Sequence, residues 1–240
     1  MSDLLNIGTS ALLAYRSALD TISHNIANAN TDGYSRQRVD LEARPPQVAG
    51  NGYVGSGVQV QTTSRVSDSL VNQRLVADNS SYSRLDTFQQ MAARADDLLS
   101  NSDTGLATPL QNFFSAMDGV AAAPASTAAR QTLLSSADTL AGRFGDLSNQ
   151  LSGMESDING QLSTAVDQIN QLAGSIAQLN DRIASGAGSA NGNPPNDLLD
   201  QRDSLIKQLS SQIGVSTVTK TDGSVDVFAA GGQALVLGSR

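Results

Sequence analysis

The chain has 240 residues, of which 39% are hydrophobic and 4% aromatic, with no Trp, so it lacks the large apolar side chains of one deep core. Its net charge is −8, with 15 Lys and Arg spread among 23 Asp and Glu. That leaves no basic face for nucleic acid and no Lys/Arg cluster beside an apolar segment for an anionic membrane. There is no Cys, which removes disulfides, thiolate zinc sites and Cys nucleophiles.

The first element is a helix. Leu5 begins an apolar pattern that settles into Leu12, Tyr15, Leu19, Ile22 and Ile26, spaced alternately three and four residues apart. This narrow seam needs a partner to cover it. The breaker cluster Asn28-Ala29-Asn30-Thr31-Asp32-Gly33 ends it, with Gly33 free to take a positive φ. Two short strands are expected next, around Arg36–Glu42 and Gly57–Thr62, flanking an irregular loop with Pro45-Pro46 and several glycines.

Helical periodicity returns near Asp68 and carries Leu70, Leu75, Tyr82, Leu85, Phe88, Met91, Ala95 and Leu98 toward a stop around Asn101-Ser102-Asp103. A second helix is expected over 106–120. A third begins after Ala121–Pro124 and runs to Ile183, although Gly153, Gly160 and Gly174 weaken it. Its last part, Ile169, Leu172, Ile176, Leu179 and Ile183, has coiled-coil spacing. Ser185–Asn196 reads as a loop, Asp197–Ile213 as a shorter helix closed by Gly214, and Val215–Lys220 with Val225–Phe228 as a β-hairpin turning at Thr221-Asp222-Gly223-Ser224. A further strand starts at Gln233, and the expectation is that its partners lie beyond Arg240, in a region this stretch does not include.

The fold class is therefore mainly α: an elongated helical bundle or coiled coil, with short β segments near 36–62 and a β-hairpin near 215–237. No catalytic, metal or cofactor site is expected. His24 is the single histidine, so no second His or Cys completes a zinc set or a nucleophile–base pair. Asp96-Asp97 are adjacent and point apart on a helix, as solvated residues do. Gly50-Asn51-Gly52-Tyr53-Val54-Gly55 matches G-x-G-x-x-G but lacks the strand before and helix after that phosphate binding requires, so a tight loop is expected. Asp222–Asp226 lacks the ligand positions of a calcium loop. The N-terminus has no basic n-region or apolar h-region of a Sec signal, and no run approaches the ~18 apolar residues of a membrane span.

Residues 18–37, ALDTISHNIANANTDGYSRQ, resemble the N-terminal signature of flagellar rod, hook and hook-associated axial proteins, whose hallmark is Asn-Ile-Ala-Asn followed by Thr-x-Gly-Tyr or Phe. Ser35-Arg36-Gln37, Gly55-Ser56-Gly57-Val58, Ile169–Ala173 leading to Leu179-Asn180, and Asn196–Asp203 (NDLLDQRD) are similar to the hook-associated protein 1 branch of that group. The resemblance implies a structural, non-enzymatic subunit that is longer than this stretch, with outer β-rich domains and a C-terminal helix returning to the first.

It also implies a division into an axial assembly helix and turn (1–34), a connector (35–66), a long-helix bundle (67–214) and the start of an outer β domain (215–240). The implied assembly interface is Leu12, Tyr15, Leu19, Ile22 and Ile26; the implied signature turn is Asn25, Asn28, Asn30, Gly33 and Tyr34. Implied partners are copies of the chain in a ring or helical array, the hook protein, the next hook-associated protein, and an export chaperone acting beyond residue 240. Implied localisation is the extracellular flagellum, reached by type III export. A rod or hook subunit, or a secreted coiled-coil adhesin or effector, is the alternative.

Overall fold

A computed structural model describes residues 2–49, 51–100, 105–189 and 195–240. In chain order the elements are α1 (Ser2–Ala27), β1 (Gln37–Ala43), β2 (Gln47–Ala49), β3 (Gly52–Val54), β4 (Val58–Arg65), α2 (Ser69–Ser100), α3 (Ala107–Ala122), α4 (Thr127–Ser189), α5 (Asn196–Gln212), β5 (Val215–Thr219), β6 (Val225–Ala229) and β7 (Ala234–Val236). The fold is mainly helical, with small antiparallel sheets. Contacts divide the chain into two units, one of residues 1–81 with 168–240 and one of residues 82–167.

In the first unit, β1 and β4 pair antiparallel from Gln37↔Arg65 to Ala43↔Val58, with a register shift between Asp40 and Leu41. The loop between these strands is more ordered than its Pro/Gly content suggests. It folds into a second ribbon, β2 with β3, in which Val48 faces Tyr53. Strands this short look like loop in sequence, because alternation cannot register over three residues. Asp68 caps α2, its Oδ1 accepting the Leu70 and Val71 amides at 2.9 and 3.2 Å.

The core of this unit forms where the coiled-coil stretch of α4 meets α5 and the sheet β5-β6-β7. Ile176, Ala177, Ile206, Leu209, Val225, Val227 and Val236 are buried together, with Val76 of α2 packed against them. β6 is the central strand, so alternate residues face opposite sides. Val225 and Val227 enter the core, while buried Asp226 accepts an ion pair from Lys220 at 2.8 Å and the Gly238 amide at 2.7 Å. The strand after Gly231-Gly232 does not wait for a partner beyond Arg240: β7 pairs with β6. The Asp222–Ser224 turn is formed, with Gly223 at φ 81°.

The second unit holds the rest of α2, α3 and the first part of α4. Ser126 Oγ caps α4 by accepting the Ala129 amide at 3.2 Å, and the Arg130 guanidinium donates to Pro124 O at 2.7 and 3.0 Å, closing the α3–α4 turn. Phe113 and Phe114 meet edge to face with centroids 5.8 Å apart. α4 runs unbroken through Gly153, Gly160 and Gly174 and continues to Ser189, six residues past the expected stop at Ile183. Residues 190–194, the centre of the expected 185–196 loop, lie outside the described residues, as do Asn101, Ser102 and Asp103.

Candidate assembly interface

Two faces of α1 behave oppositely. Ile7, Ser10, Ala14, Thr21 and Asn25 recur at helical spacing on the covered side, with Ser10 and Ala14 buried. These small and polar residues let the β1–β4 ribbon approach closely. Ser10 Oγ accepts the Val58 amide at 3.2 Å, and a Cβ on Gly57 (φ 103°) would collide with that hydroxyl. On the other side Leu12, Tyr15, Leu19, Ile22 and Ile26 stay 51–72% exposed. Covering a Leu or Ile stabilises by about 1.5–3 kcal/mol when burial is complete, so this stripe offers several kcal/mol to whatever packs on it.

The breaker cluster builds a hydrogen-bonded turn around one amide. Asn25 Nδ2 donates to Gln37 O and its Oδ1 accepts the Gln37 amide, each at 2.8 Å, so the side chain pairs with Gln37 as a neighbouring strand would. The second lone pair of Oδ1 accepts the Tyr34 hydroxyl at 2.8 Å. That hydroxyl has then spent its proton, so His24 Nδ1, 3.0 Å away, is the donor in the His24–Tyr34 contact. Asn28 Nδ2 returns to His24 O at 3.0 Å, and Thr31 donates to Asn28 Oδ1 at 3.2 Å. Gly33 supplies φ 79°. Asn30 is exposed and makes no side-chain bond among the described residues.

The turn is fastened to α5, which is distant in sequence. Asp200 Oδ2 accepts the Ser35 amide at 2.9 Å while its Oδ1 accepts Arg65 Nη1 at 3.0 Å; Asp203 Oδ2 also accepts Arg65 Nη1, at 2.6 Å. One carboxylate therefore holds both ends of the connector, where it leaves the turn and where it returns at the end of β4. Asp197 Oδ1 accepts Gln37 Nε2 at 3.0 Å, and Asn196 Nδ2 donates to Thr63 O at 2.7 Å. Asp197, Asp200 and Asp203 recur every three residues, which puts them on one helix face. Burial, then the charges of Asp197 and Asp200, push the Tyr34 hydroxyl above its usual pKa.

One residue pair further on, Arg202 faces the sheet. Its Nη1 donates to Gly223 O at 2.6 Å and to Asn180 Oδ1 at 3.3 Å, and burial pulls its pKa down, against the pull of Asp203. Asn180 repeats the Asn25 device: Oδ1 accepts the Val225 amide at 3.1 Å and Nδ2 donates to Val225 O at 2.8 Å. The first two turns of α5 thus join the axial turn to the β5–β6 hairpin.

The structure places all five stripe residues on one uncovered face and brings Asn25, Asn28, Gly33 and Tyr34 together. Gln37, Arg65, Asn196, Asp197, Asp200 and Asp203 were not singled out for this role from sequence. The three-residue acidic spacing within NDLLDQRD was the available signal. Among the described residues no three His, Asp or Glu side chains cluster to hold a metal, and no helix is long and apolar enough to cross a membrane.

The comparisons give the class of this protein, a structural protein of the flagellum. Residues 92–240 match the family model described as the flagellar hook-associated protein FlgK helical domain, and residues 5–34 match that of the flagella basal body rod protein. The chain belongs to the FlgK helical-domain family, whose members are structural flagellar proteins and not enzymes. It is 34% identical over 239 residues to flagellar hook-associated protein 1 of Escherichia coli, covering 100% of this chain and 44% of the relative. It is 32% identical to the Bacillus subtilis protein of the same name, covering 92% of this chain and 45% of that one. The solved flagellar hook junction protein FlgK from Burkholderia pseudomallei is similar at 37% identity and a TM-score of 0.63, over 70% of this chain and 29% of that one. The chain thus spans under half the length of these curated relatives.

Proposed function

We propose that the protein is an adaptor subunit at the junction of flagellar hook and filament, assembling through the outward face of α1. The observation that carries this is the stripe Leu12, Tyr15, Leu19, Ile22 and Ile26, more than half exposed on a helix whose opposite face is already covered. An apolar stripe of this length marks an interaction surface. Copies stacked in a ring or helix make heterologous contacts, each presenting one surface to a neighbour's different surface.

On this reading residues 1–34 are the axial segment, 35–66 the connector, 67–214 the helical wall and 215–240 the start of an outer β region. The partners are further copies of the chain, the hook protein on one side, the next hook-associated protein on the other, and an export chaperone before assembly. The subunit leaves the cell through the flagellar type III apparatus and works in the extracellular flagellum. The match to the FlgK helical domain over 92–240 favours this placement over a rod or hook subunit.

The test is Leu19→Asp with Ile22→Asp in the full-length protein. Both side chains are exposed in residues 1–240, so the variant is expected to keep this region folded and be secreted while filaments fail to attach and swimming is lost. Normal motility in that strain overturns the proposal.

A further inference from the structure

Asp203 stands between two guanidinium groups and serves them unequally. Its Oδ2 accepts Arg65 Nη1 at 2.6 Å, while its Oδ1 lies 3.9 Å from Arg202 Nε, an ion pair beyond hydrogen-bond reach. Arg202 is 4% exposed, and its Nε is a buried donor with no acceptor among the described residues. The Nη1 of the same side chain is engaged, on Gly223 O and Asn180 Oδ1, so the orphan is one particular atom of a fixed side chain. A buried donor without an acceptor bears its desolvation cost uncompensated. Asp203 is the nearest carboxylate and is free to turn: it is one-third exposed, and Arg65 is its one hydrogen-bond partner among the described residues. Asp200 is not free, since it is buried and holds the Ser35 amide as well as Arg65.

We propose that Asp203 is a two-position latch between the connector and the β5–β6 hairpin. In the position seen, it holds Arg65 and with it the end of β4. In the other, it turns by roughly 1 Å to accept Arg202 Nε at the about 2.7–2.9 Å of a charged hydrogen bond, and gives up Arg65. Two effects drive the exchange the same way when Arg65 leaves. The carboxylate is freed, and a like charge is withdrawn from beside Arg202. Burial foremost lowers the Arg202 pKa; Asp203 opposes this and the charge of Arg65 adds to it. Release of β4 is therefore offset in part by a bond gained at Arg202. Because Arg202 carries Gly223 O and Asn180, the hairpin is gripped more firmly as the connector lets go, and the coupling is reciprocal. Asp200 stays on the Ser35 amide, so the signature turn keeps its anchor while the other end of the connector moves. The latch is a property of the folded chain and does not depend on where in the flagellum the protein acts.

Full-length protein labelled with nitrogen-15 arginine reports the guanidinium Nε–H groups directly by NMR, and Arg202→Lys identifies the Arg202 signal by its loss. In Arg65→Met, exchange of the Arg202 Nε proton with solvent is expected to slow several-fold, while backbone amides of residues 63–66 exchange faster. Unchanged or faster exchange at Nε overturns the latch. Adding Asp203→Asn to Arg65→Met should abolish the slowing; slowing that persists also overturns it, because another group is then the acceptor. Arg202→Met gives an independent reading in a chain that keeps Arg65. It removes the second position, so amides of residues 63–66 are expected to exchange several-fold more slowly while residues 223–225 exchange faster. A merely structural arginine would speed both segments or leave the connector untouched, and either result counts against the latch.

Discussion

Two stretches of the chain carry the same three-and-four apolar spacing and end in opposite circumstances. In α4, Ile176, Leu179 and Ile183 are 0–7% exposed, and Ile176 sits in the core with residues of α5 and the small sheet. In α1, Leu19, Ile22 and Ile26 are at least 51% exposed, and the covered side is the Ser10–Ala14 face. The difference lies in what the other elements of these 240 residues supply. The α4 seam is followed by a helix and three strands that fold back on it, whereas α1 meets a thin ribbon that fits small residues. Seam spacing identifies a face that needs cover, and within these residues only the α4 seam receives it.

The largest expected effect tests the internal side of this contrast. Leu209→Ala removes a fully buried side chain and is expected to lower unfolding free energy by about 2–5 kcal/mol. Leu19→Ala should change it by under about 0.5 kcal/mol. Urea unfolding of both variants reads the comparison directly, and equal losses would break it. Next in size is Asp200→Ala, which leaves the Ser35 amide without its acceptor and Arg65 with Asp203 alone. About 2 kcal/mol is expected, as for hydrogen bonds to a buried charged group. Hydrogen exchange should rise at residues 34–37 and 63–66 together while Val227 stays protected.

Gly160→Ala works the other way. Nothing lies within 4 Å of the added Cβ, so α4 should gain about 0.5–1 kcal/mol, visible as a higher melting temperature. The subtlest test is acid. Lys220, and to a lesser extent the Gly238 amide, hold Asp226 below its usual carboxylate pKa of 3.8. A carboxylate with a lowered folded pKa contributes stability above its unfolded value and loses it as pH falls through the folded one. Asp226→Asn should therefore show a shallower loss of β5–β7 exchange protection below about pH 4 than the unaltered chain.

Much of this architecture is legible in the sequence because its causes are local. Helix α1, its outward residues and the glycine that ends it follow from spacing and from breaker chemistry within about ten residues. The β5–β6 hairpin follows from Thr221–Ser224. The clamp does not, because Asp200 meets Ser35 across 165 residues and Arg65 across 135. The acidic spacing in α5 marks a face but does not name its target. The tip ribbon was missed because Pro45, Pro46 and the glycines signal loop more strongly than three-residue strands signal sheet. Partnering of β7 was missed because its partner, β6, already had one neighbour in β5, and sequence does not show which edge of a hairpin a third strand joins.

Asn25 also constrains how the chain can vary in length. Its amide closes a ring with Gln37 over twelve residues, with Tyr34 filling the remaining lone pair. Adding or deleting one residue between positions 26 and 36 would move both Gln37 groups out of reach at once. Aspartate could accept there but not donate, so the nearest isostere forfeits half of the closure. Beyond Ala43 the chain is freer: the ribbon tip is closed at its base by Arg44 to Gly57 and Ser56 to Pro45, bonds that outlying residues do not share. Insertions should therefore accumulate at the tip and be excluded from the turn, which makes one part of the connector a ruler of fixed length and the other adjustable to its neighbour.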